Sequence, residues 1–300
     1  MEIRAYLPLA VLFGCGAAWG LTLPLMRVAV ETGHAPLGLV FWQKAVMAVL
    51  MLGILRLFRL PLPALRANLD LFLVVALAGA IVPGYFAYLV ADDLPAGIRA
   101  IILAAVPLFS LPMAILVGFE RPQAVRAFGV VLGAASIVLI SRPEAGVTGA
   151  VGLGLIALAL ISPLSYAAEG TYLARRGRGA LHPVQLLFGA SALGAVLLIP
   201  VVLASGSMIW PGTPGSGRAD LAVLAIGGLD VLAYAGYVWL VGQAGSVFAS
   251  QIAYVVTGFG VIWSMLLLGE RYSPAVWAAF ALMLAGIALV QPLVRTTKIA

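Results

Sequence analysis

Along the chain, uncharged apolar runs of about twenty residues alternate with short segments that carry most of the arginines. A helix needs about 20 apolar residues to cross a bilayer. Ten runs qualify, at residues 7–30, 36–55, 71–91, 98–119, 124–141, 150–173, 184–204, 221–243, 246–268 and 274–293. The connections between them are short, so no soluble catalytic domain is left over. The pattern predicts an all-α integral membrane protein of ten transmembrane helices, with any function performed by helices inside the bilayer.

Composition supports this reading and removes others. Of the 300 residues, 63% are apolar or aromatic and only 9% are charged, where a soluble domain carries about 25% charged residues. The single cysteine, Cys15, cannot form an internal disulfide, and with two histidines it leaves no zinc-type ligand set. No metal and no cofactor is expected. The only lysines are Lys44 and Lys298, and neither follows a glycine, so there is no phosphate loop for ATP-driven pumping. A formal charge of +6 invites a nucleic-acid partner, but the basic residues are scattered between spans and follow topology instead. The first apolar run continues past Leu12-Phe13-Gly14-Cys15 to Val30, which reads as a membrane helix and not as a cleaved leader. Cys15 is then a small packing residue.

With the N-terminus in the cytoplasm, the inner segments hold Arg4, Arg56, Arg59, Arg66, Arg121, Arg126, Arg175, Arg176, Arg178, Arg295 and Lys298. The outer ones hold Arg99, Arg142, Arg218 and Arg271. This follows the positive-inside bias and puts both termini on the cytoplasmic face of a bacterial-type inner membrane.

The second half repeats the first at a shift of about 150 residues. Phe119-Glu120-Arg121 falls on Gly269-Glu270-Arg271, and Gly129, Leu132, Ser136 and Ile140 fall on Ala279, Leu282, Gly286 and Val290. Tyr85 and Tyr88 fall on Tyr234 and Tyr237, Ala96-Gly97 on Ala244-Gly245, and Ala18-Trp19-Gly20, less closely, on Ser165-Tyr166-Ala167. Each half, 1–145 and 146–300, has five spans, so the second enters the membrane from the opposite side. Inverted repeats of this kind are a common architecture of secondary transporters, because the halves can exchange conformations around one central site.

Ten spans in inverted halves, Trp19-Gly20 in the first, and the Glu-Arg pairs after spans four and nine resemble the EamA-type carriers of the drug/metabolite transporter superfamily. The resemblance implies helices packed around a central cavity, with spans five and ten at the periphery. It also implies a secondary carrier exporting amino acids or related metabolites. The aromatic amino-acid branch comes first, threonine and methionine exporters are close to it, and carriers of other drugs or metabolites are the alternative.

Ionisable side chains deep in a span are functional candidates by default. Lys44 lies about 12 Å into span two, where it binds a substrate carboxylate, pairs with an acid or snorkels. Asp230 lies about 13 Å into span eight, where it takes up a coupling proton, binds a substrate ammonium or forms an ion pair with Lys44. Asp230 shares one helical stripe with Tyr234 and Tyr237, a polar-aromatic wall suited to a small zwitterion. Tyr85 and Tyr88 share a face in span three, Gln251 and Tyr254 lie one turn apart in span nine, and Trp19 and Trp263 offer stacking surface.

Glu169 is read differently, as an interfacial salt bridge to Arg175 or Arg176. Asp92, Asp93 and Arg99 are placed near the outer mouth, steering substrate or simply solvated. Pro83-Gly84, Pro107 and Pro112 are candidate kinks for gating. Gly16-x-x-x-Gly20 and Gly129-x-x-x-Gly133 are packing or dimer contacts, in a monomer or homodimer. Ser205 to Asp220 reads as a flexible outer loop without chemistry. The expected partners are a small-molecule substrate and membrane lipid. An intramembrane enzyme is the rival reading, but His34 and His182 are not deep in a span and neither G-x-S-x-G nor H-E-x-x-H occurs.

Overall fold

The structure is a computed structural model that describes residues 3–141, 149–210 and 217–290. Arg142, Arg295 and Lys298, the division at residues 145 and 146, and residues 211–216 of the Ser205–Asp220 segment lie outside the described residues.

All regular structure in the described residues is helical, as a chain in lipid requires, because a helix closes its backbone hydrogen bonds within the segment. The helices are α1 (Ile3–Val30), α2 (Pro36–Leu57), α3 (Leu69–Ala76), α4 (Val82–Leu89), α5 (Ala96–Leu103), α6 (Val106–Leu116), α7 (Ala124–Ile140), α8 (Gly149–Arg176), α9 (Pro183–Ala204), α10 (Gly217–Ser250), α11 (Ile252–Leu268) and α12 (Pro274–Val290). Eight segments are long and apolar enough to cross a membrane: Tyr6–Val30, Pro36–Leu57, Arg66–Leu89, Ala96–Leu116, Gly152–Arg176, Pro183–Ala204, Gly217–Gly245 and Phe248–Leu268. Two shorter apolar helices, Ala124–Ile140 and Pro274–Val290, bring the number to the ten expected. Their surfaces match this solvent. Leu116 is 85% exposed, and Val138, Val196, Leu232 and Leu266 also point outward, an arrangement stable against hydrocarbon and costly in water.

Two spans are interrupted where proline was read as a kink. Between α3 and α4 the backbone makes a π-helical turn at Leu77–Ile81. Pro83 has no N–H to give the preceding turn, and the wider turn meets the span just before it. Between α5 and α6 the helix breaks at Ala104–Ala105, with Pro107 in the first turn of α6. Pro112 lies on the exposed face inside an unbroken α6. In α10 the helix is broken at Gly245, whose φ of 85° and ψ of 162° are not helical. Gly269 stops α11 at φ 67°, a conformation in which a Cβ would be strained.

The small-residue motifs pack within the chain. Gly16 receives Val255, and Gly20 lies against the backbone of Gly260, bringing α1 close to α11. Gly129 and Gly133 let α7 approach the Gly286 backbone of α12. Two bonds reinforce that pair, from Ser136 Oγ to the Ala279 carbonyl at 2.6 Å and from Arg126 Nε to the Val290 carbonyl at 2.8 Å. The α7–α12 pair rests on α5 and α6, to one side of the remaining helices.

Glu120 pairs with Arg126 at 2.8 Å. Two charge assignments are corrected. Arg176 pairs with Asp70 at 2.7 Å, with Tyr172 donating to the same carboxylate, which leaves Glu169 free to point inward. Arg99 is not solvated. It is buried, donating to the Leu94 and Leu23 carbonyls, while Asp92 pairs with Arg27 at 3.3 Å.

Candidate functional site

The helical repeat sets the stripe on α10: Asp230, Tyr234 and Tyr237 point the same way and keep some accessible surface although enclosed by neighbouring helices. The Asp230 carboxylate collects a donor from another helix, the side-chain amide of Gln43 on α2 at 2.7 Å. The Trp19 indole of α1 lies beside it. The Trp19 ring lies 6.2 Å from that of Tyr237, which lies 6.3 Å from Tyr234. One anion is thus framed by three aromatic rings.

Lys44 follows Gln43 on α2 and is buried, with 7% of its surface accessible. Its ammonium finds only the Met47 sulfur, at 3.3 Å. Among the described residues no carboxylate lies within ion-pair distance of it, yet it feels the charges of both Asp230 and Glu169. A thioether is a weak acceptor, so the ammonium keeps unused donors. The expected alternative of a closed Lys44–Asp230 ion pair is not formed. Gln43 Oε1 and the Tyr88 hydroxyl are likewise buried without a partner.

Tyr88 is 1% exposed, within electrostatic reach of Asp230 and Arg99. Tyr85, one turn earlier, packs against the apolar cluster to which Tyr88 belongs and sets its ring edge-on to Phe86. Pro83 and Gly84 are buried beside the site; the Pro83 carbonyl accepts Ser162 Oγ of α8 at 2.9 Å, and Gly84 faces Val40. Trp263 gives its indole N–H to the Ala17 carbonyl at 3.0 Å, and Phe259 lies on its ring, so it fastens α11 to α1. Gln251 precedes α11, and Tyr254 packs against the apolar cluster around α5 and α12.

Three residues of the cluster escaped the sequence reading. Gln43 is adjacent to Lys44, and neighbours on a helix do not share a face; only the tertiary structure turns it onto Asp230. Glu169 stands near a basic pair that masked it. Tyr166, within electrostatic reach of Asp230 and Glu169, carried one available signal. At the shift of about 150 residues read from the sequence it falls opposite Trp19, and both lie near Asp230.

α11 runs along α5, whereas α6, the second half of the same span, packs on α8 and α12. At the Arg99 end, Leu94, Ile98 and Ile101 are fully buried. At the other end Glu169, Tyr166 and Tyr234 retain accessible surface. A buried ammonium, a separate acid and an aromatic wall gathered among the helices are groups suited to a small polar solute.

The comparisons agree with this architecture. The protein named uncharacterized inner membrane transporter YedA of Escherichia coli strain K12 is 29% identical over 97% of this chain and 92% of its own length. The protein of that name in the O157:H7 strain matches to the same extent. A solved crystal structure is similar in fold over 96% of this chain and 98% of its own, with a TM-score of 0.65 at 17% identity. The EamA-like transporter family matches residues 7–142 and again residues 153–291. With both matches covering nearly the whole length, the chain belongs to the EamA-like transporter family and is a multi-pass membrane transporter, not an enzyme.

Proposed function

We propose that this chain is a secondary transporter of a bacterial inner membrane that exports amino acids or closely related metabolites by alternating access. Its halves, 1–145 and 146–300, act as inverted repeats, and both termini face the cytoplasm. The observation that carries the substrate class is the separation of Lys44 from Asp230. Each charge is enclosed, yet they do not pair, and leaving a buried charge uncompensated costs several kcal/mol. A zwitterion fits this arrangement: its carboxylate meets the Lys44 ammonium, its α-ammonium meets Asp230, and its side chain lies on Trp19, Tyr234 and Tyr237. Only a ligand carrying both charges satisfies both groups, which distinguishes amino acids from singly charged metabolites.

The test is saturable flux of radiolabelled amino acids in liposomes containing the purified full-length protein. Flux of at least one amino acid, competed by other amino acids and not by the matching amine or carboxylic acid alone, supports the reading. Absence of flux across the standard amino acids removes it.

A further inference from the structure

The site contains a third charge. Glu169 on α8 belongs to the same cluster as Lys44, Tyr166 and Tyr234. Its carboxylate rests against Gly79, where an added Cβ would collide with the carboxyl atoms. Gly79 is the central residue of the π-helical turn Leu77–Ile81. Such turns give up regular hydrogen bonding and recur at functional positions; here the turn and the missing side chain form a notch that receives the acid. No hydrogen bond or ion pair holds Glu169 among the described residues, and it keeps accessible surface. Lys44 reaches toward it from α2, Asp230 and Tyr234 share its space from α10, and Tyr166 is on its own helix. On α3, Asp70 is occupied by Arg176 and Tyr172. From α4, Tyr88 is turned to Asp230 and Arg99 and Tyr85 to Phe86. Arg99 of α5 donates to Leu94 and Leu23, keeps its Nη1 without a partner and faces the charge of Glu270, and α6 has no titratable side chain.

We propose that Glu169 is a second cation subsite, which selects amino acids with a cationic side chain and exchanges them for a proton. This rests on Lys44 and Asp230 holding the two ends of an amino acid, as argued above. One ammonium and two carboxylates leave the empty site with one excess negative charge. A net-neutral zwitterion does not change that balance, whereas an amino acid of net charge +1 cancels it, its side-chain cation lying on Glu169 beside the Tyr166 and Tyr234 rings. A proton taken up by the Glu169 carboxylate from one side cancels it equally on the return step, and is released to the other side when the next cation displaces it. Both steps then move a neutral site through the membrane, avoiding the cost of an unpaired buried charge.

The experiment compares labelled lysine and methionine efflux from liposomes, with and without an external acid pH, for the full-length protein and Glu169→Gln. Wild-type lysine efflux should rise about tenfold with the gradient and stay unchanged when the voltage is clamped. Glu169→Gln should lose that response and the preference for lysine, with a wild-type thermal midpoint in detergent as proof of folding. If Glu169→Gln keeps both, or wild type moves methionine but not lysine, this proposal fails and the amino-acid reading stands. If wild type moves neither, both fail.

A second observation concerns the ends of the bundle. Glu270, after α11, accepts the Ala96 and Gly97 N–H groups at 2.8 and 3.2 Å, closing the N-terminus of α5, and Tyr272 donates to the same carboxylate. Its repeat partner Glu120 is instead turned onto Arg126. The repeat partner of Ala96-Gly97 is Ala244-Gly245, where the helix breaks at Gly245 and a new N-terminus begins. We infer that the two glutamates are alternating latches: Glu270 holds the Arg99 end shut in this state, and Glu120 leaves Arg126 to hold the helix start after Gly245 in the opposite state.

A single cysteine at Ala87, near Arg99, in a Cys15→Ser background reports opening of that end by its rate of maleimide labelling, without any substrate. Glu270→Gln should speed labelling, Glu120→Gln should slow it, and Arg126→Gln, which frees Glu120, should speed it. If Glu120→Gln and Arg126→Gln act alike, Glu120 serves only its ion pair and the latch is excluded.

Discussion

The indole of Trp19 on α1 lies beside the carboxylate of Asp230 on α10. The same ring stacks toward Tyr237, so Trp19 has a polar task and an apolar one that substitution can separate. Trp19→Phe keeps an aromatic surface but removes the polar N–H that the ring offers beside the Asp230 carboxylate. The expected outcome is a lower thermal midpoint in detergent and a raised KM for transport, with the protein still inserted. Trp19→Ala should lose flux altogether, because the wall opens as well.

Lys44 separates stability from function. Its ammonium is buried against a methionine sulfur with no carboxylate at ion-pair distance among the described residues, and a buried charge so placed carries a desolvation cost of several kcal/mol. Lys44→Met should therefore raise the unfolding midpoint while abolishing amino-acid flux. A variant that is stabilised and still transports would remove Lys44 from the site.

The packing of α7 on α12 should behave in the opposite way. A Cβ at Gly129 would sit 2.7 Å from the Gly286 carbonyl oxygen, and overpacking of this kind costs about 1–3 kcal/mol. Gly129→Ala should lower the thermal midpoint and leave KM for any transported amino acid unchanged, since the contact lies on the side of the bundle away from Asp230. Measuring both quantities on one preparation checks the division between packing and binding.

How far each part was legible follows from the range of the interactions involved. The spans were, because the length of an apolar run alone decides whether a helix can cross a bilayer, and the breaks near Pro83 and Pro107 were, because a missing N–H acts locally. The stripe of Asp230, Tyr234 and Tyr237 followed from helical spacing. The contacts made across helices did not. Nothing in the sequence aims Gln43 at Asp230, sends Trp263 to the Ala17 carbonyl, or buries Arg99 under two carbonyl oxygens. Glu169 was misread for a related reason. Its nearest cations in sequence are Arg175 and Arg176, but Asp70, a hundred residues earlier, takes Arg176, and charge pairing follows space instead of sequence.

The notch at Gly79 gives a last test that leaves every charge in place. Alanine there brings a methyl group into the Glu169 carboxyl atoms. Because the turn is already π-helical at this point, the backbone has little freedom to retreat, and the carboxylate must move instead. Gly79→Ala should leave the fold intact, since alanine is the better helix former by about 1 kcal/mol, and should leave methionine flux near wild type. Lysine affinity and the response to a pH gradient should both fall, as in Glu169→Gln, although the acid is still present. Equal lysine and methionine kinetics before and after the substitution would show that the position of Glu169 does not matter, and with it that the notch is only a packing feature.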